Sequence, residues 1–208
     1  MDDLYQPPPL EGYRPITPET PLPDMGQAMQ LWDTYYMLDN IRRHSEVVCA
    51  VALLLTDWLD EAGVVLNVKA VQMGALLHDL AKTQCLGSER RHDLEGARIL
   101  AELGFAELAY LVQHHVVLPL ESPLDETMVV YYADKRVNHD HLVNLNQRYA
   151  YIASRYGLED PERLERIEEG RRRAMEVERL IFSAMFHMHT PDEVARRWRE
   201  KECIVDCK

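Results

Sequence analysis

Five segments of this chain place imidazoles and carboxylates where they can meet: His44, the doublet His78-Asp79 inside the apolar run VQMGALLHDLAK, His92, the pair His114-His115, and Asp134. Mixed nitrogen and oxygen ligands suit divalent ions of the Mn, Fe, Co and Zn group, whereas carboxylates and carbonyls alone would favour Mg or Ca. His44, His78, Asp79 and Asp134 can supply two nitrogens and two oxygens to one ion. The second oxygen of Asp79 can bridge to another ion held by His92 and His114, with His115 as a further nitrogen beside them. A water between two such ions has its pKa lowered toward neutrality and becomes a nucleophile for hydrolysis. A single His or Asp in a helix is ordinarily a surface residue or a hydrogen-bonded core residue. Here two carboxylates sit inside the apolar segments GALLHDLAK and VVYYADKRV, where burial is costly without a compensating charge. A cation supplies it.

Cations near these segments can meet phosphate. Lys82 lies one helical turn past His78 and so projects on the same side, where an ammonium can neutralise a phosphate as charge moves onto the leaving oxygen. The same lysine also suits a helix C-terminus whatever the function. Arg136 and Arg148 are further substrate-binding candidates with Lys135 beside them, although ordinary salt bridges are the commoner use of such residues. Glu46 near His44 could orient a ligand, and Arg90 and Arg91 could flank the mouth of a site. His139, His141, His187 and His189 read as solvated or locally bonded.

Helices must position these groups. From Met25 onward the apolar residues recur at helical spacing and strand alternation is almost absent, so the expected fold is all-α with about eight helices. The site-bearing helices are expected near 40–62, 67–81 (with His78-Asp79 in its last turn), 92–103, 105–115 and 125–138. Others are expected near 25–37, 144–156, 160–188 and 191–200, with Asn67 and Thr190 as N-caps. Residues 1–24 carry Pro7, Pro8, Pro9, Pro15, Pro18, Pro21 and Pro23, which deny backbone donors and fix φ, so they form an extended arm. Its Leu4, Tyr5, Leu10, Tyr13 and Ile16 can pack on the domain or on a second copy, and a disordered leader is the alternative reading. The expected organisation is this arm, a helical domain over 25–157, and a helical extension over 158–208 packed on the same domain.

A chain of 208 residues with 47% hydrophobic content can bury one sizeable core. The net charge of −12 opposes broad association with phosphate backbones, so nucleic acid is excluded as a partner. No apolar stretch reaches the ~20 residues that span a bilayer. The start MDDLYQPPPLEGY has neither a basic nor an apolar leader region, which makes a cytoplasmic location the expectation. Cys49, Cys85, Cys203 and Cys207 then read as reduced thiols.

The order His44, then His78-Asp79, then Asp134 resembles the HD-domain metal-dependent phosphohydrolases, and His92 with His114 resembles the added ligands of their two-metal members. ALLHDLAK and VYYADKRV carry the likeness, which covers about residues 40 to 150. The stretch VVLPLESPLDE after His114-His115 lacks the Gly-Tyr-Pro segment of cyclic di-GMP phosphodiesterases. Leu80-Ala81-Lys82 does not resemble the corresponding segments of guanosine tetraphosphate hydrolases or deoxyguanosine triphosphatases. HDLAK, EGARIL and ADKRV look more like small bacterial HD proteins, among them HD-type diadenosine tetraphosphate hydrolases and HD modules fused to nucleotidyltransferases.

The resemblance implies hydrolysis of a phosphate ester or anhydride of a nucleotide-type substrate, with two divalent ions of the Fe, Mn, Co or Zn type rather than Mg. The expected partners are that small phosphorylated substrate and a second copy of the chain. Two other functions fit the same residues. One is a mononuclear phosphatase in which His92 and His114 serve as acid or phosphate donors; the other is a non-catalytic nucleotide sensor or scaffold that keeps the fold.

Overall fold

The computed structural model describes residues 12–119, 121–157, 160–186 and 188–205, without the side chains of 199–205. Leu4, Tyr5, Leu10 and His187, and the thiols of Cys203 and Cys207, lie outside that set. The order of elements is α1 (Met25–Thr34), α2 (Asp39–Glu61), α3 (Val68–Leu77), α4 (Lys82–Cys85), α5 (His92–Glu102), α6 (Ala106–His114), α7 (Glu126–Lys135), β1 (Val137–Asn138), β2 (His141–Leu142), α8 (Leu145–Tyr156), α9 (Pro161–Ala184) and α10 (Pro191–Val205). The fold is all-α, with one two-stranded hairpin in which Val137 pairs with Leu142 and Asn138 with His141.

Helix α7 is the central element, buried along its whole length from Glu126 to Lys135 and packed by α2, α3, α6 and α9. Against it α2 presents Val48, Ala52, Leu55 and Leu59, all fully buried and spaced at three to four residues, as a stripe facing one core requires. Asn67 caps α3 as expected by accepting from the Ala70 N–H, and its own N–H donates to Glu126 at 2.7 Å. That bond ties the start of α3 to the start of α7. At the other end of α3 the Trp32 indole donates to the Leu76 carbonyl at 2.9 Å, anchoring α1 beneath the His78-Asp79 turn.

Two glycines let the site-bearing helices approach closely. A Cβ on Gly74 of α3 would meet the Leu111 side chain of α6 at 2.7 Å, and one on Gly96 of α5 would meet Val112 at 3.1 Å. The segment before α1 lies against the domain: Tyr13 packs edge-on to Tyr110, Asn67 donates to the Thr17 carbonyl and Lys69 to that of Leu22.

Three differences from the sequence reading bear on the site. Helix α3 stops at Leu77, so His78 and Asp79 lie in the turn after it, and a short α4 follows at Lys82. Helix α7 stops at Lys135, where a helix to about 138 is expected. The hairpin replaces its last turn, and strands of two residues are too short to leave any alternation in a sequence. No helix among the described residues is long and apolar enough to cross a membrane.

Candidate metal centre

The second turn of α2, the first turn of α5 and the C-terminal ends of α3, α6 and α7 converge on one point. His44 comes from α2, His78 and Asp79 from the turn after α3, His92 from the start of α5, His115 from the end of α6 and Asp134 from α7. All are buried except His92, whose side chain is 27% exposed. The Asp79 carboxylate divides the cluster. Its Oδ2 lies 3.4 Å from His78 Nε2 and 3.8 Å from His44 Nε2, while its Oδ1 lies 3.2 Å from His92 Nε2 and 3.6 Å from His115 Nε2. Asp134 Oδ1 closes the first side at 3.0 Å from His44 Nε2 and 3.8 Å from His78 Nε2.

Backbone carbonyls orient three of the imidazoles. His44 Nδ1 meets the His139 carbonyl at 2.6 Å, His78 Nδ1 that of Ala75 at 2.7 Å, and His115 Nδ1 that of Val112 at 2.6 Å. A carbonyl can only accept, so each Nδ1 carries a proton and donates it, and each ring turns its Nε2 toward the cluster. Lone pairs facing carboxylate oxygens at these distances repel unless a proton or a metal ion lies between them. His78 Nε2 and Asp79 Oδ1 are buried without a hydrogen-bond partner among the described residues, and a bound cation would satisfy both. His44 with His78 and Asp134, and His78 with Asp79 and His115, are two sets whose donor atoms can each hold an ion.

Lysines complete the charge balance. Burial opposes ionisation of Asp79, but the Lys82 ammonium and the imidazoles of His78 and His115 outweigh it and hold the carboxyl well below the usual range. Lys82 Nζ donates to Asp79 Oδ2 at 2.7 Å. Burial likewise opposes ionisation of Asp134, and Lys135, His44 and Arg148 outweigh it. Lys135 Nζ bonds Asp134 Oδ2 and the His115 carbonyl, both at 2.8 Å, so Oδ1 alone faces the imidazoles. Burial, with His78 and His92 close by, lowers His115 to about 4, leaving it neutral and able to donate its lone pair near pH 7.

The family profile described as HD domain matches residues 44–138, the span from the first of these ligands to just past the last. The chain carries an HD domain. The matched residues include each member of the cluster. An uncharacterized protein of Methanocaldococcus jannaschii is 35% identical over 79 residues, which cover 38% of this chain and 46% of that protein, so the match spans about half of the relative's length. No solved structure matches.

The cluster opens into a cavity of about 530 Å³ lined by His44, Asp79, Lys82, His92, His115 and Asp134 on one side and by α8 and α9 on the other. Arg148 is in the lining, with its guanidinium 4.0 Å from Asp134 Oδ1. His114 is not. Its Nδ1 donates to the Tyr110 carbonyl and its ring packs on Tyr110, so it is His115 that faces Asp79.

Arg136, expected at the substrate, is only 2% exposed and points the other way. It donates to the Val143 and Pro191 carbonyls and to the Tyr132 hydroxyl, and lies 3.6 Å from Glu178, so it clamps the hairpin and α10 onto α7. Arg136→Ala leaves those acceptors and Glu178 without their cation and is expected to cost about 3–5 kcal/mol, read as a lower denaturation midpoint with unchanged metal affinity of the folded protein.

Glu46 is exposed and outside the cavity lining, and Arg90 and Arg91 bond Gln84 and Asp93. His189, read as solvated or locally bonded, instead stacks on Trp58 and pairs with Glu61, both on α2, besides meeting Glu193. His139, read as solvated, contributes the carbonyl that orients His44 and lines the cavity. Its φ of 56° was not visible in the sequence.

Proposed function

We propose that this chain is a two-metal phosphohydrolase that cleaves a phosphate ester or anhydride of a small nucleotide-type substrate. One observation carries the reading. In a chain of net charge −12, the cavity is lined, among the described residues, by Lys82, Lys135, Arg148, Arg155 and Arg166 against Asp79 and Asp134, both of which would be occupied as metal ligands. A concave site whose sign is opposite to that of the whole molecule concentrates anions.

His44, His78, Asp79 and Asp134 would hold one ion, and Asp79, His92 and His115 the other. When bound, such ions lower the pKa of water toward neutrality and withdraw charge from a phosphoryl oxygen. The protein's own groups do the rest. The carbonyls at Ala75, Val112 and His139 fix which imidazole nitrogen faces inward, and Lys135 holds Asp134 so that one oxygen is presented. Lys82 and Arg148 stand on either side of the carboxylates, where an ammonium and a guanidinium stabilise charge developing on the phosphoryl and leaving oxygens. Burial of the ligands keeps bulk water from screening these charges.

The test is a hydrolysis screen over phosphate esters, nucleotides and dinucleoside polyphosphates with Mn, Fe, Co, Zn and Mg each supplied. Metal-dependent phosphate release, fastest on a nucleotide-type compound, is the expected result. Release from none of the phosphorylated compounds with any of the metals would contradict the reading.

A further inference from the structure

The metal ligands occupy one side of the cavity, and the opposite wall comes from α8 and α9, which lie beyond the residues matched by the HD family. Arg148, Ile152 and Arg155 follow one another at four and three residues and so share one face of α8. Arg148 marks the metal end of that face through its 4.0 Å approach to Asp134. Arg155 stands roughly 10 Å further along, seven residues at about 1.5 Å each.

There Arg155 Nε donates to the Tyr156 hydroxyl at 3.2 Å, and its guanidinium carbon lies 5.7 Å from the centre of that ring. Tyr151 packs edge-on against His139. Arg166 reaches the same wall from α9. The partners of Arg155 among the described residues are the tyrosines Tyr156 and Tyr151, in a chain where acids outnumber bases by 35 to 23. Tyr156 is 52% exposed although it lines the cavity. A phosphate alone would need no such surface. Aromatic rings and guanidinium planes beside Ile152 and Ile167 are what a flat heterocycle stacks on.

We propose that this wall is a base-binding subsite, in which the nucleobase of the substrate stacks on Tyr156 and Arg155 while Arg166 meets a phosphate remote from the cleaved bond. The separation from the metals matches a nucleotide lying along α8 with its phosphate at Arg148 and its base at Arg155. This deepens the phosphohydrolase reading and rests on it.

The experiment measures binding to the metal-loaded full chain of methylenediphosphonate and of the α,β-methylene analogues of ADP, GDP and UDP, whose carbon bridges resist cleavage. Stacking on one aromatic side chain is worth roughly 5- to 100-fold in affinity. The best nucleoside analogue is therefore expected to bind at least about tenfold tighter than methylenediphosphonate. Tyr156→Ala, at an exposed position, removes that advantage, and Tyr156→Phe retains it. Equal affinity of the wild type for all four probes, or an equal loss of all four in Tyr156→Ala, overturns the subsite; tight methylenediphosphonate binding in that case leaves the phosphohydrolase reading standing. Failure of every probe to bind overturns both.

Discussion

Asp79→Ala is expected to abolish binding of both ions and to lower phosphate release by at least about a thousandfold, to the level of protein without metal. The reason is geometric. One oxygen of Asp79 faces His44 and His78 at 3.8 and 3.4 Å, and the other faces His92 and His115 at 3.2 and 3.6 Å, so one carboxylate serves both halves of the cluster. Without it the second half keeps two imidazoles and no anionic ligand. His92→Ala removes a ligand from that half only, and so should release mainly one ion. Elemental analysis of the metal-reconstituted variants, with phosphate release from the best compound of the screen, checks both statements. Full metal content and turnover in Asp79→Ala would show that the centre lies elsewhere.

Lys82→Ala is expected to reduce turnover by roughly 10- to 1000-fold, the scale on which losing one preorganised charge raises a transition state. The sequence motivates a phosphate contact, and the structure adds a second role, because Nζ lies 2.7 Å from Oδ2 of Asp79, a candidate metal ligand. Metal content separates the two. A lysine that acts on substrate leaves the ions in place when removed, whereas one that only holds Asp79 takes them with it. Lys82→Arg should rescue only in part, since a planar guanidinium replaces a compact ammonium. Turnover in Lys82→Ala equal to the wild type would return the residue to the role of a favourable charge in a turn.

His44, His78, Asp79 and Asp134 were legible because imidazoles and carboxylates inside apolar helical runs have few uses other than binding a cation. Which of His114 and His115 turns inward was not. Adjacent residues on a helix point about 100° apart, and only the end of α6 settles which one faces Asp79. The exchange of roles between Arg136 and Lys135 has the same origin. With α7 ending at Lys135 and the hairpin starting at Val137, Lys135 projects into the centre and Arg136 is swung back into the core. The wall of Tyr151, Arg155, Tyr156 and Arg166 carried no signal, because its residues are ordinary for amphipathic helices and become a site only through the packing of α8 and α9 over the cavity.

Removal and return of metal tests the central claim most directly. The full chain is stripped with a chelator, shown by elemental analysis to be free of transition metal, and assayed for phosphate release before and after single additions of Mn, Fe, Co, Zn and Mg. The account predicts that stripping abolishes release, and that one or more of the first four ions restores it while Mg restores less. Undiminished phosphate release from protein proven free of metal would contradict it.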